Sequence, residues 1–359
     1  MEKISSNQFL IFAWMFTLGS AILYVPNLLV EYSKQDAWIS SLLAMLFCFI
    51  LIGIYLLMFR LFPNKTVFQI LECVFGKRFG KIIGLFIIIS FHYLISVMTL
   101  RDFGDFLIVH ILPETPLSVI HLIFLIVVAY SVKQGIEVIG RTSQILLPIP
   151  IFFYLLSAVL LLNKSDITHL LPIAADGWKP IVRASIANIG FPYLETFILV
   201  TLLPFVTPKT KISKPFCLGV LLGSLMLIIA TVYSLMVLGV EYSENKIYTP
   251  YLLGAEINVA NVIQRVEIII SSIWFVSMFI KMCLVVLATT IGLQQIFELR
   301  DYRILTLPLC LLLLPLSIMI MPNMSYWGIL VDTWPFYASI QTMLIPIIIV
   351  IVGLIKKKR

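Results

Sequence analysis

The hydrophobic positions of this chain fall into ten long runs, with polar stretches between them. The runs cover about 8–30, 38–59, 82–108, 117–132, 142–162, 181–204, 214–240, 263–289, 303–321 and 333–355. A helix needs roughly 20 apolar residues to cross the hydrocarbon core of a bilayer. Each run therefore predicts one membrane-spanning helix, the third long and the fourth short. Strands of a porin-like barrel would be shorter and would alternate apolar with polar residues, which these runs do not. Thr66 to Phe79 is different in kind: Val67, Phe68, Ile70, Leu71, Val74 and Phe75 recur near helical spacing. That pattern predicts an amphipathic helix lying on the inner membrane surface.

Composition sharpens the class. Of the 359 residues, 61% are hydrophobic and 12% charged, with a mean hydropathy of +1.07. Soluble domains hold about 45–50% apolar and about 25% charged residues. The expected fold is an all-α polytopic membrane protein, a single transmembrane domain over residues 1–359. The net charge of +7 is unevenly placed. With the N-terminus inside, seventeen basic residues fall in inner loops and tails and four in outer ones. By the positive-inside rule both termini are cytoplasmic. The positive charge then faces anionic lipid, and no nucleic acid partner is expected. The first run lacks a strongly basic leader and outlasts a signal core, so it reads as a span. The five cysteines and four histidines are scattered, with no C-x-x-C or H-E-x-x-H. No disulfide framework, metal site or cofactor is expected. No catalytic dyad or phosphate loop argues for an enzyme.

Two interruptions point to a site. The first run contains Gly19-Ser20-Ala21 and then Pro26; the sixth contains Gly190-Phe191-Pro192. The two glycines lie 171 residues apart, close to half the chain, and five spans precede the sixth. Two oppositely oriented halves of five helices, each opening on a broken helix, form the pattern of inverted-repeat transporters. The repeats would cover about 8–162 and 181–355. An unwound turn at bilayer depth frees backbone groups that must meet a ligand, water or another helix. Half-helix N-termini suit a carboxylate, and glycine allows close approach. The candidate ligand-binding residues are Gly19, Ser20, Ala21, Ile22, Asn188, Gly190, Phe191 and Tyr193, with Tyr93 and Ser96 from the third span. A small zwitterion such as an amino acid fits best.

Gly19-Ser20-Ala21-Ile22 with Pro26 resembles the first-helix motif of the amino acid/polyamine/organocation transporter superfamily. A closer resemblance is to the B subunit of spore germinant receptors, the spore germination permease family. It is carried by Ile4-Ser5-Ser6-Asn7-Gln8, Leu100-Arg101-Asp102-Phe103, Leu112-Pro113-Glu114-Thr115-Pro116 and Gly135-Ile136-Glu137-Val138-Ile139-Gly140-Arg141. It continues through Gly190-Phe191-Pro192-Tyr193-Leu194-Glu195 and Arg265-Val266-Glu267 to Trp274 and Lys281. The resemblance implies a nutrient-sensing subunit in the inner membrane of a dormant spore. It would act beside an A-type membrane subunit and a C-type lipoprotein subunit.

Charges inside spans are costly unless paired or hydrated. Glu195 follows the second break and Lys281 lies within the eighth span. They are the candidate ion pair and switch, with Lys281 also a candidate stand-in for a coupling cation; a purely structural pair is the alternative. Arg101 and Asp105 stand four apart on one helical face and can pair; with Asp102 they read as an interfacial cluster or outer gate, with ligand contact as the alternative. Arg183 is expected to snorkel at the outer surface, Arg265 and Glu267 to serve gating or subunit contacts, and His92 to be a packing residue. The outer aromatics Tyr242, Tyr248, Tyr251, Tyr326, Trp327, Trp334 and Tyr337 read as interfacial anchors. The expected function is nutrient sensing, with a proton- or cation-coupled amino acid permease as the alternative on the same fold.

Overall fold

The computed structural model describes residues 2–259, 263–264, 267–321 and 325–358. Arg265, Asn323 and Arg359 lie outside the described residues, as do the side chains of Tyr326 and Trp327. The spans follow in order. The first is Ser6–Leu18 and Ala21–Ser33, the second Ala37–Leu61, and the third runs from Lys77–Ile87 through Leu94–His110. Leu117–Gln134 is the fourth, and Ile136–Leu146 with Pro148–Leu161 the fifth. The sixth runs from Trp178–Asn188 to Phe197–Val200, and the seventh is Ser213–Glu244. Glu267–Ile296, Arg303–Met319 and the stretch from Ser325–Ser339 to Ile345–Lys358 complete the ten. Seven apolar helical stretches among the described residues have membrane-crossing length. One of them, Ala21–Leu61, joins the second half of the first span to the whole second span, and the chain reverses between them at Lys34 (φ 49°).

Local sequence sets these boundaries. Ser5 caps the first helix reciprocally with Gln8, and Thr66 caps Val67–Phe75 with Gln69 in the same way; such capping boxes satisfy two otherwise orphaned backbone donors. Val67, Phe68, Ile70 and Leu71 of that short helix are buried. After Phe75 the chain turns at Gly76 (φ 85°) directly into the third span. Below the membrane-spanning part, Glu298 takes Lys77 and Lys81, each at 2.7 Å. Those two ammonium groups push its carboxyl down to about 2.

Residues Ile4–Ser5, just before the first helix, pair in parallel with Val206–Thr207, just past the sixth. This bridge fixes the start of one broken helix beside the end of the other. The seventh span closes on the first half of the first. A Cβ on Gly219 would stand 2.7 Å from the Ala13 Cβ, and one on Gly223 would stand 2.8 Å from the Thr17 Cβ. Small residues four apart allow this close contact where lipid offers no hydrophobic drive between helices. The eighth span is the axis of the core, with Ile280 to Ala288 buried without interruption. The fourth, fifth and ninth spans turn large apolar side chains outward, among them Ile123, Ile126, Phe152, Val159, Leu311 and Leu312. On a water-soluble surface such a patch would be a liability; around this bundle it is the lipid face.

Candidate functional site

The first span breaks at Gly19 (φ 17°, ψ −123°) and restarts with Ser20 as N-cap of Ala21–Ser33. The sixth breaks one residue later than expected, at Phe191 (φ −142°, ψ 113°), with Gly190 inside a widened turn. The first amides of a restarted helix have no partner within it. Ser20 does not cap them: its hydroxyl accepts instead from Lys281, at 2.9 Å.

Lys281 stands where the two breaks meet. Its ammonium donates to Glu195 Oε2 at 2.7 Å and to Ser20, and the side chain is fully buried. The rings of Phe191 and Phe16 lie 4.9 and 5.5 Å from the ammonium nitrogen. The glycine at position 19 makes this possible, since a Cβ there would overlap the Lys281 Cδ. A carboxylate, a hydroxyl and two aromatic faces thus hold one cation at the crossing of helices one, six and eight. Ion pairs sealed from water in this way lose heavily if one partner is removed.

Beside the pair is a cavity of about 40 Å³. Ser20, Phe191 and Glu195 line it from the breaks; Met98, Thr99 and Asp102 from the third span; Leu330, Val331 and Trp334 from the tenth. A water needs about 10–15 Å³ measured in this way, so only a few waters or a small ligand with some side-chain movement would fit. Trp334 closes one wall. It stacks on Phe91 with ring centres 5.9 Å apart and donates to the Gly190 carbonyl at 3.1 Å, which satisfies a group freed by the break. Toward the end of the bundle opposite the termini a wider depression of about 480 Å³ shares Ala187 and Val331 with the cavity. There Asp332 receives the Tyr32 hydroxyl at 2.7 Å and Arg183 at 3.4 Å, and Arg183 also covers the Tyr32 ring. At the end bearing the termini, Glu2 accepts the Ile136 amide at 2.8 Å and pairs with Arg303.

The other sequence candidates divide. Ala21 and Tyr193 are buried in the core next to the breaks. Ile22 lines a second small cavity, with Tyr154 and Tyr233. Asn188 turns to Ser41 of the second span, at 3.4 Å. Ser96 bonds back to the His92 carbonyl, and Tyr93 reaches Leu309 of the ninth span. His92 packs among Phe68, Phe91 and Phe197. Arg101 and Asp105 pair at 2.8 Å. Arg183 does not simply snorkel; it closes on Asp332.

Three residues read as interfacial are not. Tyr248 is buried, its hydroxyl 3.1 Å from that of Tyr24; Trp334 and Asp102 lie deep along their helices. The tenth span starts at Ser325, so Trp334 lies nine residues inside the helix, about 14 Å at 1.5 Å per residue. Likewise the third span runs on to His110, which sets Asp102 eight residues, about 12 Å, from its end. The tenth helix begins eight residues before its apolar run, so Trp334 reads as the start of a span. Asp102 lies inside the 82–108 run, and its charge near the end of that run marks it as interfacial.

Ten helical spans with the first and sixth broken at a common junction define a membrane protein of the secondary-transporter fold. Solved structures agree on that fold. A nucleobase-cation-symport-1 family transporter, closed with bromovinylhydantoin bound, superposes with a TM-score of 0.75 at 10% identity, covering 97% of this chain and 78% of its own. A Na+-coupled sialic acid symporter gives 0.62 at 12% identity, covering 95% and 79%. More specifically, the chain belongs to the spore germination protein family, whose signature matches residues 3–326. Spore germination protein KB of Bacillus subtilis (strain 168) is 25% identical over 366 aligned residues, covering 100% of this chain and 97% of that protein. Protein B2 of the same organism is 22% identical, covering 99% and 97%. Protein XB of Bacillus anthracis is 22% identical, covering 85% of each.

Proposed function

We propose that this chain is the nutrient-sensing membrane subunit of a spore germinant receptor, and that it binds a small germinant, an amino acid, in the cavity between the two broken helices. The observation that carries the reading is Lys281 held by Glu195 and Ser20 at the junction of both breaks. A ligand entering beside that node competes for the same carboxylate and hydroxyl, so occupancy changes how the two half-helices are tied together. Differential contacts of this kind are what allow a ligand to shift a conformational equilibrium. Related by inverted symmetry, the repeats over about 8–162 and 181–355 would rock about this point. The termini face the cytoplasm, the membrane is the spore inner membrane, and A-type and C-type subunits convert occupancy into germination.

A proton- or cation-coupled amino acid permease is the second reading, favoured by the transporter fold. The tethered ammonium weighs against coupling to a carried metal cation, since it fills that site and stays in place; it does not weigh against proton coupling, because a lysine can release and take up a proton. Two measurements separate the readings. Deletion of the chain should abolish the response of spores to one nutrient class, and the tagged chain should co-purify with an A-type subunit. Concentrative uptake of labelled amino acid by liposomes holding only this chain would overturn the receptor reading.

A further inference from the structure

We propose that Asp102 is a ligand-recognising carboxylate and that the cavity selects for a compact organic ammonium group. The inference rests on reading this cavity as the nutrient site. Asp102 is 5% exposed and lines the cavity, yet among the described residues it has no partner within hydrogen-bonding or ion-pair distance. Its neighbour Arg101 is committed elsewhere. The Arg101 Nε reaches both oxygens of Asp105 at 2.8 Å, and its terminal nitrogen reaches the Ile318 carbonyl at 3.2 Å. Lys281 is likewise held by Glu195 and Ser20. The cavity and its rim therefore hold two carboxylates against one ammonium.

Ionising a buried carboxyl group without a partner is costly, and such a group holds its proton until a cation joins it. A ligand that brings positive charge removes that cost; a neutral or anionic ligand does not. The other walls decide which cation fits. Hard metal ions such as Ca2+ and Mg2+ take about six or more oxygen ligands. Here the Ser20 hydroxyl is already taken, and most of what remains is Leu28, Met98, Phe191, Leu330 and Trp334. Aromatic faces attract an ammonium, and the aliphatic wall accepts the hydrocarbon beside it. The amine of an amino acid, or a simple primary amine, meets both requirements.

The test is thermal melting of the purified full-length chain in lipid nanodiscs at constant ionic strength. The probes are n-propylammonium chloride against n-propanol, and L-valine against 2-hydroxyisovalerate. The ammonium probes are expected to raise the melting temperature saturably and their uncharged or hydroxy counterparts not to. Asp102→Asn, isosteric and uncharged, should weaken the ammonium effect about tenfold or more, with probe-free stability unchanged or higher. No stabilisation by either ammonium probe, equal stabilisation by propanol, or a retained response in Asp102→Asn would each overturn the proposal. Phe191→Ala and Trp334→Ala report on the underlying reading. Loss of response in these two but not in Asp102→Asn leaves the cavity standing without its carboxylate; retention in all three overturns both. Should Asp102→Asn not accumulate, the wild-type contrast of propylammonium with propanol decides, because a charge-blind cavity responds equally to both.

Discussion

Gly19 leaves room for the aliphatic stem of Lys281, whereas Gly190 leaves room for the ring of Pro335, 2.6 Å from where its Cβ would stand. At the first break the neighbours are a flexible side chain and a hydroxyl; at the second they are a proline, a tryptophan that takes the freed carbonyl, and Glu195 one turn on. The first break thus supplies space through which a cation reaches the junction, and the second supplies the anion and a rigid wall. Matching positions in the chain carry unlike chemistry. A ligand acting at the junction therefore has one yielding side and one fixed side, and Lys281 joins the two through Ser20 and Glu195.

The largest effect expected is loss of one member of the ion pair. Lys281→Met strands a buried carboxylate and Glu195→Gln a buried ammonium. Removing one partner of a buried pair costs about 3–5 kcal/mol, so each variant should accumulate poorly, as read by immunoblot of spore membranes. Next come the glycines, where a methyl group in a full space costs about 1–3 kcal/mol. Gly190→Ala meets proline and should lower abundance. Gly19→Ala meets a side chain that can move aside, and should lower the germination response more than abundance. Equal behaviour of the two would erase the distinction between the breaks. Trp334→Phe keeps the stack on Phe91 but deletes the bond to the Gly190 carbonyl. It should cost about 1 kcal/mol and show as a modest drop in melting temperature.

The smallest effect lies far from both breaks. The carboxyl of Glu298 is held down to about 2 by Lys77 and Lys81. A depressed carboxyl stabilises the fold above its unfolded value of about 4.3, and that contribution disappears as pH falls toward about 2. The difference in melting temperature between wild type and Glu298→Gln should therefore be small near neutral pH and should vanish in acid. A difference that persists in acid would show that Glu298 acts otherwise than through its charge.

Much of this was legible from hydrophobic runs and from glycine and proline. Ten spans, the short amphipathic helix after Thr66 and both interruptions follow from physics that acts locally: bilayer thickness, helical period and backbone freedom. The residues that meet across the bundle follow from packing, which one sequence does not contain. Tyr93, Ser96 and Asn188 stand at the right depth, yet their polar atoms turn to other helices or to their own backbone. Asp102 and Trp334 are hidden for the opposite reason. Trp334 stands at the start of its apolar run, whereas its helix begins eight residues earlier; the charge of Asp102 near the end of its run suggests the membrane surface, whereas the cavity reaches it there.

The central claim is that the pair joining the breaks is a switch and not only a brace. The direct measurement is abundance and nutrient-triggered germination rate in spores carrying Glu195→Gln together with Lys281→Met. Replacing a whole buried pair by neutral residues of similar size can be close to neutral for stability, and contacting residues must show non-additive effects. The account predicts abundance restored toward wild type with no response to nutrient. Restored abundance together with a wild-type germination rate would contradict it.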